Sequence, residues 1–511
     1  MSDSPTVGNI DFAIYPTSNR VPGFYAELNN RNANTGQQNM RALILGQQTS
    51  AGTATVNEAT LSAGVGDGQT KYGQNSMLAQ MLQFYRLSDT FGEVWCLPVA
   101  DPTDAQASGT ITPTGPATGA GTIFLYIAAS PINPRITVPV TVGMTAIEIG
   151  AAIAAAINAV PTAPVTAAAN GTTGVVTVTA VHKGLVGNMI DMRLNYLGTS
   201  AGEVLPAGIG LTFAGTTAGN GTLLSGGTLN PSLSSALANL SGDQTFDFII
   251  TPYTDAVSTA AITAFLNDVS GRWSWEQELF GGAWSAYRGS LGSLATFGNS
   301  LNDQHTQIIG LFDSPSPDYL WAADIAANCA ISIRNNPAVP LQDISLNVYA
   351  PPLATRFTIS ERNTLLYDGI STFKVSDSGQ VMLERMCTTY QKNAAGAADN
   401  SYLDTETLYT LQYLIRDLRT FLASNFVQKI LVANGTPIPF GSAMVTAVTV
   451  LNAIIGRYQT YCTAGLAQNA KIFAQQAGAQ NAGNGLVKLA LPIQVANQLR
   501  DVAMLIQFTK P

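Results

Sequence analysis

Charged residues are scarce in this chain: only 11% of its 511 residues are Asp, Glu, Lys or Arg. Its net charge is −8, and no run of Lys and Arg interrupts the sequence. Because nucleic-acid binding needs a basic surface that neutralises phosphates, the sequence predicts no nucleic-acid partner. Low charge with many small apolar residues fits a protein that buries much surface against copies of itself, but an ordinary enzyme with a bland surface would fit as well.

Long hydrophobic runs are missing too. The most apolar stretch, residues 149–157, is far shorter than the ~20 residues that a membrane-spanning helix requires. The N-terminal sequence MSDSPTVGNIDFAIY has neither the basic start nor the apolar run of a secretory signal peptide. The sequence therefore predicts no membrane anchor.

Cysteine and histidine are rare, with four Cys and two His in the whole chain. Cys96, Cys329, Cys387 and Cys462 lie far apart and form no Cys-x-x-Cys pair. We expect them to be reduced and mostly buried, as in a protein assembled in a reducing cytosol. No HExxH motif, EF-hand loop or clustered ligand set is present, so we predict no metal and no cofactor.

Catalytic residues are not expected either. His182 and His305 are the sole candidate bases for a Ser-His-Asp triad, and both are predicted to lie in loops. One Gly-x-Ser-x-Gly match occurs at residues 198–202, but Pro206 and several glycines follow where a nucleophile elbow needs a helix. A subtilisin-like hydrolase is kept as an alternative of another class.

The chain contains two stretches of alternating strands and helices, and they are separated by a β-rich region at residues 103–240. Short apolar strands alternate with helical patterns before residue 103 and after residue 241, which favours an α/β architecture with a mostly parallel sheet. Residues 103–240 are dominated by Thr, Gly, Ala and Val and predict a β-rich region with one helix, opened by a capping box at Thr145 and Glu148. The glycine-rich loop before the helix at residues 76–87 lacks a nucleotide-binding pattern and is interpreted as a flexible connector.

The region that organises the rest is residues 358–431. It begins with an apolar cluster that ends in a turn at Asp368 and Gly369, followed by a strand at residues 381–388. A long amphipathic helix is predicted from Asp404 to Leu431, with Asp404 or Thr405 as its N-cap. The apolar residues of its predicted buried face are Leu408, Leu411, Ile415, Leu418 and Leu422.

The segments SERNTLLYDGIST, RMCTTYQKN and SYLDTETLYTLQYLIR closely resemble the C-terminal region of contractile-tail sheath proteins of Mu-like bacteriophages. The resemblance extends to NPAVPLQDISLNVYAPP, to RVPGFYAELNNRNA and to GQNSMLAQMLQFYRLSDTFGEVWCLPV, so it covers most of the chain in order. It implies a multi-domain tail-sheath fold of the mixed α/β class. That fold has a subtilisin-like α/β core, an inserted β-rich domain on the outside and extended terminal arms.

The resemblance and the composition together predict five parts. They are an N-terminal arm at residues 1–27, the first part of the core α/β domain at 28–102, an inserted β-rich outer domain at 103–240, the subtilisin-like core at 241–385, and a C-terminal sheath domain with a terminal strand arm at 386–511.

The function that the resemblance implies is structural. Copies would polymerise as helically stacked hexameric rings around a tail tube, and contraction would drive the tube through the host envelope for genome ejection. The implied partners are further copies of this chain, the tail tube protein, and baseplate and tail terminator proteins. The subunit would be assembled in the host cytoplasm and end in the virion. The sheath of a phage-derived contractile bacteriocin or injection particle is the nearest alternative.

Two groups of residues are predicted to carry this function. The arms that clasp neighbouring subunits are represented by Ile10, Phe12 and Ile14 at one end and by Val502, Met504, Leu505, Ile506 and Phe508 at the other. Both segments have the apolar character of strands that need an edge to pair with. Arg416 and Arg419 on the polar face of the long helix are candidates for contact with the tube, with a solvated helix face as the alternative.

Overall fold

The computed structural model describes residues 40–240 and 242–510. The predicted N-terminal arm, with Ile10, Phe12 and Ile14, lies outside the described residues. Among the described residues, no helix combines the length and the apolar character that crossing a bilayer requires.

The strands follow one another in short segments. In chain order they are β1 (Ala42–Gln47), β2 (Thr60–Leu61), β3 (Val94–Val99), β4 (Gln106–Thr114), β5 (Gly121–Ile127), β6 (Ile136–Val140), β7 (Val165–Ala169), β8 (Val176–Lys183), β9 (Asp191–Leu194), β10 (Gly210–Ala214), β11 (Thr216–Ala218), β12 (Gly221–Leu223), β13 (Phe248–Ile250), β14 (Gly282–Arg288), β15 (Thr306–Leu311), β16 (Ile344–Ser345), β17 (Thr372–Val375), β18 (Val381–Arg385), β19 (Ile430–Leu431), β20 (Met444–Val445), β21 (Gly478–Asn481) and β22 (Val487–Ala490).

The helices range from one turn to six. They are α1 (Val65–Tyr72), α2 (Met77–Ser88), α3 (Ala146–Asn158), α4 (Ser234–Ala238), α5 (Ala256–Leu266), α6 (Leu291–Leu301), α7 (Asp318–Asn335), α8 (Ile359–Tyr367), α9 (Thr405–Phe426), α10 (Ala447–Thr463) and α11 (Ala470–Gln476).

The centre of the molecule is a six-stranded sheet in the order β15-β14-β13-β1-β3-β2. Neighbouring strands from β15 to β3 are parallel, and β2 adds an antiparallel edge. All six residues of β1 and of β15 are buried, as expected of parallel strands that are covered on both faces. Helices α2 and α7 pack together in the same apolar core. The predicted mostly parallel sheet is therefore confirmed.

The glycine-rich segment before α2 is not a plain connector, contrary to the prediction, because it contains helix α1. A Cβ on Gly68 would come within 2.3 Å of the Leu82 side chain, so the glycine lets α1 approach α2 closely. Asp67 and Lys71 pair along the helix at 2.8 Å. Packing against α2 outweighs the poor helix propensity of the glycines in this segment.

Two further sheets lie between β3 and β13. Their strand orders are β10-β4-β8-β7 and β11-β12-β9-β5-β6. Together with α3 they enclose an apolar core of their own, which includes Ile123, Ile149, Ile153 and Val178. The predicted capping box is present: the Thr145 hydroxyl accepts from the Glu148 amide, and the Glu148 carboxylate accepts from the Thr145 amide.

A buried ion network joins this β-rich region to the central sheet. Arg193 on β9 donates from Nε to Asp191 Oδ1 at 2.7 Å and from Nη2 to Asp313 Oδ1 at 2.7 Å. Asp313 follows β15, and its carboxylate also accepts from Asn220 and from Thr355. Arg193, Asp191 and Asp313 are all at most 4% exposed. Since buried charges are costly unless paired, the network fixes the β-rich region against the central sheet.

Helix α9 lies against the central sheet through Asp247, the residue before β13. The fully buried Asp247 carboxylate accepts from Gln412 and Arg416 of α9, and its carbonyl accepts from the Tyr409 hydroxyl at 2.9 Å. This contact turns the helix away from the predicted apolar face: Leu408 and Leu418 are buried, but Ile415 is 39% exposed. The predicted face was therefore wrong in part.

The ends of α9 also differ from the prediction. The helix stops at Phe426, five residues before the predicted Leu431, and Lys429 lies beyond it. Asp404 occupies the N-cap position, but its side chain makes no capping bond. Its carboxylate instead accepts from Arg385 at 2.8 Å, so a distant guanidinium has replaced the local amide as its partner.

The segment before β17 is a helix, α8, where the sequence suggested an apolar cluster. Thr358 and Glu361 form a capping box at its start, and the predicted turn at Asp368 and Gly369 follows its end. At the C-terminus of the chain, the predicted final strand is absent from the described residues: positions 501–510 have no regular secondary structure. A strand needs a neighbouring strand to pair with, and among residues 40–240 and 242–510 none pairs with this segment.

Candidate functional site

His182 lies in strand β8 and is 5% exposed, which corrects the prediction that it is a loop residue. Its Nδ1 lies 2.7 Å from Asp101 Oδ1, and its Nε2 accepts from the Met77 amide at 2.9 Å. Since Nε2 accepts a hydrogen bond, Nδ1 is the nitrogen that donates to Asp101. Because the backbone amide occupies the nitrogen that would activate a serine, this His-Asp pair is structural.

His305 precedes β15 and is 2% exposed. Its Nε2 lies 3.3 Å from Asp268 and its Nδ1 lies 3.3 Å from Asp303, so both ring nitrogens face carboxylates. Burial alone would lower the pKa of His305, but the two carboxylates outweigh it and raise the pKa above its usual value. Because both ring nitrogens face carboxylates, neither faces a serine hydroxyl that it could activate.

Ser200, the centre of the Gly-x-Ser-x-Gly match, lies in the single 3₁₀ turn Thr199–Ala201. It is exposed, and the turn ends at Gly202 without a following helix. The nucleophile-elbow geometry is therefore missing at this match, as the sequence indicated.

Metal-binding geometry is not found in the described residues either, since no group of three or more His, Cys, Asp or Glu side chains there could hold a metal ion. Asp313 pairs with Arg193, and Asp318 pairs with Arg288 at 3.0 Å.

The four cysteines are free, as predicted. Three are buried, and Cys462 on α10 is partly exposed.

A dense group of exposed apolar side chains lies in the C-terminal tail, by which we mean residues 501–510. The five residues predicted for the C-terminal arm are 71–87% exposed: Val502, Met504, Leu505, Ile506 and Phe508. Isolated exposed apolar residues are common on protein surfaces, but five within seven positions of one extended segment are not. The tail thus has the character of a segment that becomes buried against another surface.

Arg500 at the base of the tail was not recognised in the sequence. Its Nη2 donates to Asp404 Oδ1 and to Glu406 Oε1, each at 2.9 Å. Glu406 is fully buried on the first turn of α9, and its Oε1 also accepts from the Leu341 amide. Burial raises the pKa of Glu406, although the charge of Arg500 opposes this. An arginine beside an apolar terminal segment was the available signal, but its partners lie more than ninety positions away.

The two arginines predicted to contact a tube have different surroundings. Arg416 is 10% exposed in its side chain, pairs with Asp247, and donates from Nη2 to the Leu279 carbonyl at 2.7 Å. Arg419 is 66% exposed in its side chain and pairs with Glu278 at 2.8 Å. Both line an open cleft of about 730 Å³, but Arg416 is committed to the central sheet of its own subunit.

A family model and a curated protein that match this chain are both described as tail sheath proteins. Residues 226–389 match the family described as the phage tail sheath protein central domain. The Mu-like prophage FluMu tail sheath protein of Haemophilus influenzae is 33% identical over 505 residues, which cover 98% of this chain and 99% of that protein.

Solved structures that are similar in fold include sheath proteins. The sheath tail protein Lin1278 from Listeria innocua matches 90% of this chain and 92% of its own, with a TM-score of 0.46 and 12% identity. The helical sheath of the anti-feeding prophage in its contracted state matches 96% of this chain and 100% of its own, with a TM-score of 0.43 and 12% identity.

Proposed function

The chain belongs to the phage tail sheath family, and from this premise we propose how its copies assemble and move. It is a structural, non-enzymatic subunit of the contractile tail sheath of a Mu-like phage, and hence a component of the virion. We propose that the subunits form hexameric rings that stack helically around a tail tube. Contraction would rotate and move the subunits as rigid bodies and drive the tube through the host envelope for genome ejection.

The observation that carries the assembly proposal is the exposed apolar tail. Val502, Met504, Leu505, Ile506 and Phe508 are exposed in the single subunit, and a polymer offers the surface that would cover them. An extended segment without a partner strand is suited to pair with a sheet edge of a neighbouring copy. Head-to-tail contacts of this kind continue from subunit to subunit and produce rings or helices.

The N-terminal arm, with Ile10, Phe12 and Ile14, is proposed as the second link on the basis of its sequence. Two arms at opposite ends of the chain would let one subunit hold two different neighbours. This would keep the polymer connected while the subunits change orientation.

Contact with the tail tube is proposed for the exposed polar face of α9. Of the two predicted arginines, Arg419 is the more accessible to an acidic group on a tube protein, since its pair with Glu278 is exposed whereas Arg416 is nearly buried against Asp247. Baseplate and tail terminator proteins are proposed as the partners at the two ends of the sheath, and assembly is proposed to take place in the host cytoplasm.

The division of the chain into parts at residues 27, 102, 240 and 385 is likewise a proposal. The separate apolar core within the β-rich region supports treating residues 103–240 as an inserted domain. The parallel central sheet with its packed helices is compatible with a subtilisin-like core, in fold but not in chemistry.

Negative-stain electron microscopy of the purified full chain, beside a version that ends at residue 501, tests the assembly proposal. We expect long hollow tubes from the full chain and folded, unpolymerised subunits from the shortened one. A monodisperse monomer from the full chain, or unchanged tubes after truncation, would overturn assembly through the tail.

A further inference from the structure

At Arg500 the C-terminal segment passes from residues bound to their own subunit to exposed residues. Up to this point the C-terminal segment is held by its own subunit: the Gln494 amide donates to the Tyr458 hydroxyl at 3.1 Å, and Val495 forms a strand bridge with Ala467. Every residue from Asp501 to Lys510 is exposed. Arg500 is thus the last side chain anchored within the subunit before the tail leaves it.

The anchor is a single buried guanidinium shared by two acidic residues. The Arg500 side chain is 11% exposed, Asp404 is 21% exposed and Glu406 is fully buried. A buried carboxylate needs a countercharge, because removing one partner of a buried pair leaves the other charge without water or compensation. Releasing Arg500 therefore has a high cost.

The anchor joins the tail to helix α9, which is itself bound to the central sheet. Asp404 and Glu406 stand at the start of α9, and Gln412 and Arg416 on the same helix bind Asp247 beside the central sheet. A force on the tail would pass through Arg500 into α9 and then into the sheet. An arginine within the exposed tail itself would offer no such path.

We propose that Arg500 is a positioning residue which, clasped by Asp404 and Glu406, fixes the point and direction at which the C-terminal tail leaves the subunit towards the next copy. This inference rests on the proposed function of the tail as a link between copies. From this fixed base, the eight residues 501–508, which include all five predicted arm residues, reach at most ~26–29 Å when fully extended. The surface of the neighbouring copy that accepts these side chains therefore lies within that distance of Arg500.

A fixed base reduces the number of orientations from which the tail can dock. Fewer orientations lower the entropy cost of binding and give every copy the same spacing to its neighbour. Tubes assembled without the clasp would still be linked, but with variable spacing. Variable spacing between copies is thus the result that distinguishes a positioning role of Arg500 from a purely stabilising one.

Two variants of the full chain test the clasp. Arg500→Met removes it, and an insertion of three glycines between Arg500 and Asp501 keeps it but frees the direction of the tail. We expect both to broaden the distribution of tube diameter and helical rise in electron micrographs. The glycine insertion should leave the melting temperature of the unpolymerised subunit unchanged, whereas a purely stabilising role predicts normal tubes from it.

Arg457→Met is the matched control, because Arg457 pairs with Asp417 in the same C-terminal region but away from the tail. It should lower the melting temperature and leave the order of the tubes intact.

Trypsin provides a readout that does not depend on polymerisation. Trypsin cleaves after Arg500 only when that side chain is released, and the cut removes residues 501–511. In the double variant Asp404→Asn and Glu406→Gln, we expect cleavage of unpolymerised subunits to be roughly tenfold faster than in the unchanged chain, since hydrogen bonds to charged groups are lost. Equal cleavage rates would overturn the clasp.

The outcomes separate the two proposals. If the chain ending at residue 501 still forms tubes, the tail is not a link and the proposed function fails at that point. If truncation abolishes tubes but Arg500→Met and the glycine insertion both give ordered ones, the link stands and the clasp is wrong. Should Arg500→Met not fold, the insertion and the cleavage rates still decide.

Discussion

At the scale of single residues, several of the few charges of this chain lie inside the molecule. They form buried or nearly buried pairs between segments that are separate in sequence: Asp247 with Arg416, Arg193 with Asp313, Arg288 with Asp318, and Glu406 with Arg500. A composition poor in charge had suggested a bland surface. The structure shows that the scarce charges fix the relative positions of sheets and helices, because each unpaired partner would be costly.

Arg193 should be among the most sensitive of these residues. Arg193→Met leaves Asp191 and Asp313 buried without their countercharge, and we expect the free energy of unfolding to fall by about 3–5 kcal/mol. Urea denaturation of the unpolymerised subunit measures this. Arg419→Met, which breaks an exposed pair, should change stability by less than about 1 kcal/mol. Equal effects of the two substitutions would contradict the importance of burial.

His305 should make stability depend on pH. Its folded pKa is raised, so its stabilising contribution is complete below its unfolded pKa of about 6.5 and is lost as pH rises through the higher folded value. Melting temperatures of the unchanged chain and of His305→Asn, measured from pH 6 to pH 9, should converge with rising pH. A constant difference between the two proteins across that range would show that His305 does not bind its proton more tightly in the folded state.

At the scale of elements, both local sequence signals and tertiary contacts determine where helices form. Helices α3 and α8 both begin with a Thr and a Glu three positions later, and both capping boxes form. Helix α1 has no side-chain cap at Gly64 and is supported by its packing against α2. The starts of α3 and α8 are therefore determined by their own residues, whereas the formation of α1 depends on its packing against α2.

The capping box of α8 gives a direct test. Thr358→Ala removes the hydroxyl that accepts from the Glu361 amide, and we expect a loss of about 1 kcal/mol in the free energy of unfolding. Thr364→Ala on the exposed face of the same helix is the control and should be nearly neutral, because alanine has the higher helix propensity. If both variants lose the same stability, the cap has no special role.

At the scale of the whole molecule, the exposed apolar tail leads to a test of the proposed contact between copies. Replacing Leu505 and Ile506 together by Asp should prevent tube formation, because the charged side chains would resist burial against a neighbour. The melting temperature of the subunit should not change, since both side chains are more than three-quarters exposed. Lys510→Ala is the matched control in the tail and should form tubes normally. Normal tubes from the double variant would exclude these residues from the subunit contact.

Much of the fold could be predicted from periodicity. The buried runs of β1 and β15 indicated a parallel sheet, and the composition of residues 103–240 indicated a separate β-rich region. The burial of α9 could not be predicted, because Asp247, which orients the helix, lies more than 150 positions away from it. Hydrophobic spacing locates a helix, but the partner that it meets decides which face is buried.

The candidate site divides in the same way. Sequence alone determined the family, the lack of a catalytic triad motif and the apolar character of the tail, because each is written in local residue types. Tertiary structure alone decided that Arg416 is internal, that Arg419 is exposed and that Arg500 anchors the tail. The physical reason is that the sequence around an arginine does not show which carboxylate folding will bring beside it. That carboxylate, and the burial of the pair, decide whether the arginine is an exposed charge or part of an internal ion pair.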